Sequence, residues 1–195
     1  MASQRDSGVE DPSAPQYTLF RGHYAPVYGV DFCPDMRTAI SGSADNTVRL
    51  WSIDTGTNVV VYKGHNFPIW DVKFCPQGYY FASASHDRTA RIWAMDKVTP
   101  LRILVGHLAD VDTVEWHVNC NYVATGSSDK SVRLWDIQTG ECVRVLVGHR
   151  NAVTSMAFSP DGLYLATAGS VCMRNRPKVS EPARLVLFFI WLGST

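Results

Sequence analysis

Along most of the chain, short runs in which apolar and polar residues alternate return at a fixed interval. Val30 with Phe32, Val72 with Phe74, and Val114 with Trp116 mark the first run of successive units, each 42 residues after the last. A turn follows each time, at Pro34-Asp35, Pro76-Gln77-Gly78 and Val118-Asn119-Cys120-Asn121. A second run comes next, at 39–42, 80–84 and 122–126, and a tight turn centred on an Asp leads to a third, at 47–51, 89–93 and 131–135. Runs this short, of period two and rich in Val, Ile, Thr and aromatics with turn residues between them, predict half-buried antiparallel strands. Residues 17–20 are expected to supply an outer strand. The pattern predicts no helix of normal length.

The polar positions keep the same period. Gly-His pairs end at His23, His65, His107 and His149, and a Trp recurs at Trp51, Trp93 and Trp135. An Asp precedes each Trp by six residues (Asp45, Asp87, Asp129), and a hydroxyl residue stands four before that (Ser41, Ser83, Thr125). A unit of this length cannot bury its faces alone and must stack on its like. From Leu19 to about Gly169 the pattern resembles the WD40 family of β-propellers. The resemblance implies that His, hydroxyl, Asp and Trp of each unit form one buried hydrogen-bond chain, and the donor and acceptor inventory of these groups permits it. The expected fold is therefore all-β: a WD40 propeller fragment of about three and a half four-stranded blades, not a closed ring. Arg49, Arg91 and Arg133, two before each Trp, are read as structural, their stems packed between blades.

Ser, His and Asp are also the nucleophile, base and orienting acid of acyl transfer. A working site is normally single, whereas this trio recurs in three units with a Trp attached to each, so no catalytic residues are assigned. No metal site is expected either, because the histidines fall in separate blades and no HxH, HxxxH or CxxC spacing accompanies them. No cofactor is expected. The balanced charge, 18 basic against 18 acidic residues, leaves no electrostatic footprint for direct nucleic-acid binding. The five cysteines lack framework spacing and read as reduced thiols of an intracellular protein, with Cys33 and Cys75 at equivalent repeat positions. The N-terminus has no apolar signal core.

The ends break the period. Residues 1–16 are polar, contain Pro12 and Pro15, and read as a disordered tail. Repeats are placed at about 20–61, 62–103 and 104–145, with a partial fourth at 146–169. There His149 and Thr167 are in place, but Val171 and Pro177 stand where Asp and Trp are due. Residues 170–195 read as a non-repeat tail foreign to the family. Its apolar run at 185–192 is too short for a membrane-spanning helix of about 20 residues, and a short membrane or partner anchor is the alternative. An open ring bares strand edges and apolar faces, so the chain is expected to be marginally stable, to aggregate or to be completed by another chain.

Particular stretches go beyond generic repeat residues. These are Tyr62-Lys63-Gly64-His65-Asn66-Phe67-Pro68-Ile69-Trp70-Asp71, Ser85-His86-Asp87-Arg88-Thr89-Ala90-Arg91-Ile92-Trp93 and Gly106-His107-Leu108-Ala109-Asp110-Val111-Asp112. They resemble the WD-repeat region of the TFIID subunit 5 (TBP-associated factor) family and its counterpart in SAGA-type coactivators. The family's LisH and helical dimerisation domains and its later blades lie outside this sequence. The resemblance implies a non-enzymatic nuclear scaffold that holds histone-fold TBP-associated factors and other TFIID or SAGA subunits, with neither nucleic acid nor membrane as partner. It also implies that positions one, three and five after each Gly-His histidine, and the one before the turn Asp, face partners. Among these, Tyr28, Trp70, His86, Asp110, Asp112 and Arg150 are the candidates, the large rings being the expected anchors. A ubiquitin-ligase substrate receptor, a histone-peptide reader, or a truncated product without function of its own are the alternatives.

Overall fold

The computed structural model describes residues 18–169 and the backbone of residues 186–191. The first sheet runs in chain order through β1 (Val27–Phe32), β2 (Thr38–Ser43), β3 (Thr47–Ser52) and β4 (Asn58–Lys63). The second holds β5 (Ile69–Phe74), β6 (Tyr80–Ser85), β7 (Thr89–Ala94) and β8 (Arg102–Val105), and the third β9 (Val111–Trp116), β10 (Tyr122–Ser127), β11 (Ser131–Asp136) and β12 (Cys142–Val147). The fourth has β13 (Val153–Phe158), β14 (Tyr164–Gly169) and β15 (Val186–Trp191). Neighbouring strands pair antiparallel throughout, and the described residues contain no helix.

The strands obey their residue pattern, but the cores do not lie inside single sheets. One cluster joins Ile40, Val48, Leu50 and Tyr62 of the first blade to Val72, Phe74, Phe81 and Trp93 of the second. Another joins Ala82, Ile92 and Leu104 to Val114, Trp116 and Trp135, and a third joins Ala124, Val132 and Leu134 to Val153, Met156 and Leu165. Each hydrophobic core is thus a seam between two blades. Polar pins fasten the seams: Asp31 Oδ2 accepts the Phe74 N–H at 2.7 Å, and Asp71 Oδ2 accepts from Thr113 Oγ1 and the Val114 N–H at 3.0 and 3.1 Å. Tyr62 donates to the Met95 carbonyl at 2.8 Å, and the Trp116 indole to the Lys73 carbonyl at 3.0 Å.

The arc is open. Val72 and Val114 are fully buried against the preceding blade, whereas their first-blade equivalent Val30 is 66% exposed. Phe32 likewise is exposed where Phe74 and Trp116 are buried, and with Phe20, Val27, Trp51 and Ile53 it lines an apolar groove on this bare face.

Two sequence expectations differ from the structure. The outer strand awaited at 17–20 is absent over residues 18–20, and position 17 lies outside the described residues. The first three blades take their outer strand from the segment after the Trp instead, so β4, β8 and β12 occupy that place. The segment 186–191 is not apart from the repeat, because β15 pairs along β14 from Tyr164↔Trp191 to Gly169↔Val186. It supplies the third strand for which the period demanded a Trp-bearing run. An unpaired β14 edge is a template for any β-prone segment, and six consecutive apolar residues provide one. The tail 1–16 and the rest of the C-terminal tail lie outside the described residues.

Candidate functional site

The Gly-His loop brings each histidine over its own blade's hairpin. His23 Nδ1 lies 2.7 Å from Asp45 Oδ2 and Nε2 2.7 Å from Ser41 Oγ, while the Trp51 indole donates to Ser41 Oγ at 2.8 Å. In the second blade the distances are 2.6 Å to Asp87, 2.7 Å to Ser83 and 2.9 Å from Trp93 to Ser83. In the third they are 2.8 Å to Asp129, 2.7 Å to Thr125 and 2.8 Å from Trp135 to Thr125. His149 Nε2 meets Thr167 Oγ1 at 2.8 Å. Positions 171 and 177 lie outside the described residues.

Donor counting fixes the direction of each chain. The indole only donates and the carboxylate only accepts, so the hydroxyl passes its proton to His Nε2 and the ring donates from Nδ1 to Asp. The imidazole is then neutral. Its environment agrees: burial pushes His65 and His107 below the usual histidine range, and the nearby Arg91 and Arg133 charges push the same way, against the raising pull of Asp87 and Asp129. Burial alone would raise Asp87, but hydrogen bonds from His65 and Thr89 outweigh it and hold the carboxyl at about 2. In the first three units the glycine of the Gly-His pair is set by packing, whereas Gly148 has open space around it. A Cβ at Gly22, Gly64 or Gly106 would fall 2.7, 2.6 or 3.0 Å from the guanidinium of Arg49, Arg91 or Arg133 and against the Trp ring beside it.

This arrangement has the direction of a hydrolytic triad but not its access. Ser83 is fully buried, Thr125 nearly so, and each hydroxyl already accepts an indole N–H. No substrate atom can reach them. Among the described residues no three His, Cys, Asp or Glu side chains gather as a metal site.

The exposed chemistry lies at the rim. The first strand of every blade carries a β-bulge at the same repeat position, so that Tyr28, Trp70, Asp112 and Thr154 have no partner across the hairpin. A bulge re-aims the side chain it carries. Tyr28 and Trp70 pack across the first seam with ring centroids 4.8 Å apart, and Trp70 meets His86 edge-on at 6.1 Å. His86 Nδ1 bridges the second seam to Asp110 Oδ2 at 2.5 Å. Asp112 accepts from Ser128 Oγ at 2.6 Å; burial raises its carboxyl above the usual range, and the charges of Asp110 and Asp129 add to this. Arg150 is exposed on the loop before β13. Phe67, half exposed with its ring 5.5 Å from His86, belongs to the cluster but was not among the sequence candidates. An aromatic residue in a loop, between Asn66 and Pro68, was its only signal. The Trp70 Nε1 is buried without a hydrogen-bond acceptor.

Stacked antiparallel blades, each braced internally by a buried polar chain and joined along apolar seams, with the open chemistry confined to loops, define a repeat platform for protein–protein interaction. The family model described as "WD domain, G-beta repeat" matches residues 13–52, 56–94, 98–136 and 140–171, and the chain belongs to the WD40 family. Within that family it is similar to "Transcription initiation factor TFIID subunit 5" of Arabidopsis thaliana, 59% identical over 55 residues, which are 28% of this chain and 8% of the relative. It is also similar to the protein of the same name from Caenorhabditis elegans, 50% identical over 42 residues (22% of this chain, 6% of the relative). The "SAGA complex/transcription factor TFIID complex subunit Taf5" of Schizosaccharomyces pombe is 51% identical over 56 residues (29% and 8%). The matched stretches are therefore a small part of each relative's length.

Proposed function

We propose that this chain is a non-enzymatic scaffold segment working in the nucleus within a TFIID- or SAGA-type transcription complex, where it binds histone-fold TBP-associated factors or other subunits of that complex. One observation carries the reading: the triad-like groups are consumed inside the blades, so the surface left for recognition is the rim cluster of Tyr28, Trp70, His86 and Asp110. Two half-buried rings with an ionisable pair beside them are the composition from which interface anchors are made. Asp112 and Arg150 extend the same rim. The relatives named for TFIID and SAGA support that choice of complex.

The test is affinity purification from nuclear extract with the 195-residue chain as bait. Recovery of histone-fold subunits and TBP, reduced at least tenfold by the double variant Tyr28→Ala/Trp70→Ala at unchanged melting temperature, supports the proposal. Recovery of a cullin adaptor, or binding to an isolated histone tail instead, would overturn it.

A further inference from the structure

Every seam is closed by the same pair of repeat positions. The residue just after the first strand of one blade, Cys33, Cys75 or His117, reaches the turn residue Gly78, Cys120 or Gly162 of the next. At the first seam Cys33 Sγ donates to the Gly78 carbonyl at 3.8 Å, and at the third His117 Nε2 lies 3.0 Å from the Gly162 carbonyl oxygen. The middle seam differs, because both positions are cysteine and the two Sγ atoms stand 3.2 Å apart. The turn backbone is left-handed at every blade, with φ of +78° at Gly78 and +73° at Gly162 but 61° at Cys120. A thiol is thus held at a position whose geometry favours glycine, facing a second thiol on another blade.

We propose that Cys75 and Cys120 form a covalent modification site, which an oxidant of the peroxide class converts to a disulfide tying the second blade to the third. Cys75 is fully buried and Cys120 half-buried, so the peroxide meets Cys120 first. The Cys120 thiolate attacks the peroxide oxygen, the O–O bond breaks, and a sulfenic acid and one water result. The Cys75 sulfur then attacks the sulfenic sulfur, the S–O bond breaks and the second water leaves. Two thiols and one hydrogen peroxide give one disulfide and two waters, with one electron lost by each sulfur. The bond requires the sulfurs to close by roughly 1 Å, within reach of side-chain adjustment. Burial pushes the Cys120 thiol up to about 11, and the Cys75 thiol beside it pushes the same way. The thiolate is the reactive form, so oxidation is slow at neutral pH and quickens about tenfold per pH unit from 7 to 9. Such a pair resists casual oxidation and responds only to sustained peroxide, unlike exposed sensor cysteines whose thiols ionise near neutral pH.

The experiment treats the purified 195-residue chain with hydrogen peroxide, blocks remaining thiols in denaturant, and maps peptides without reduction. The expected product is a single Cys75–Cys120 linked peptide, two of the five thiols lost, and a rate rising with pH as stated. The same treatment in urea should scatter linkages among all the cysteines. Cys120→Gly, which restores the residue found at Gly78 and Gly162, keeps the fold and should lose the link while melting no lower than the reduced parent. Linkage to other cysteines in the native chain, over-oxidation of Cys120 with Cys75 still free, or equal selectivity in urea would each overturn the proposal.

Discussion

The hydroxyl of each tetrad is the residue on which the rest depends, since it alone accepts from the indole and donates to the imidazole. Ser83→Ala leaves Trp93 Nε1 and His65 Nε2 buried without partners, each orphan costing about 1–3 kcal/mol. Chemical denaturation should therefore show a loss of about 2 kcal/mol or more, and Ser83→Thr, which copies Thr125, should lose much less. Protonation acts on the same groups. His65 and His107 are held neutral when folded but take a proton near 6.5 when unfolded, so their contribution is complete above 6.5 and is lost as pH falls. Glu115 runs the other way. Burial raises it to about 7, helped by the charges of Asp71 and Asp31 and opposed by that of Lys73. Its contribution is complete below the ordinary glutamate value of 4.5 and is lost as pH rises through about 7. Glu115→Gln should accordingly raise the melting temperature at pH 8, by the equivalent of about 3 kcal/mol, and leave it unchanged at pH 4. A rise of equal size at both pH values would disprove this account of Glu115.

At the level of strands and seams, carboxylate pins do what alternation alone cannot, fixing how one blade is set against the next. Asp71→Ala removes acceptors from the Val114 N–H and Thr113 hydroxyl and should cost about 2–3 kcal/mol, with hydrogen exchange rising in β9 before β11. The strands themselves were legible because period two is written in side chains, and the tetrad spacing was legible because His, hydroxyl, Asp and Trp must meet through their own chemistry. The bulges were not. Tyr28, Trp70, Asp112 and Thr154 share a backbone irregularity but no residue type, so nothing in the letters marks it. β15 escaped for a different reason: the residues between Gly169 and Val186 interrupt the count that would have placed it.

For the whole molecule, the open arc dominates. The first blade displays Val30 and Phe32 where later blades bury the equivalents, and faces of this kind associate. Sedimentation velocity should show this 195-residue chain growing in mass with concentration. The pair Val30→Lys/Phe32→Lys should suppress that growth without lowering the melting temperature, since neither side chain is packed. Because the apolar clusters lie between sheets rather than within them, no single sheet is a folding unit. The smallest cooperative body is two neighbours and their joint, as in a one-dimensional array. Amide protection should then peak in β5 to β7 and β9 to β11, which have neighbours on both sides, and fade toward β1 and β15. A molecule assembled this way frays from its ends inward, and it can gain or lose a whole repeat for the free energy of one joint.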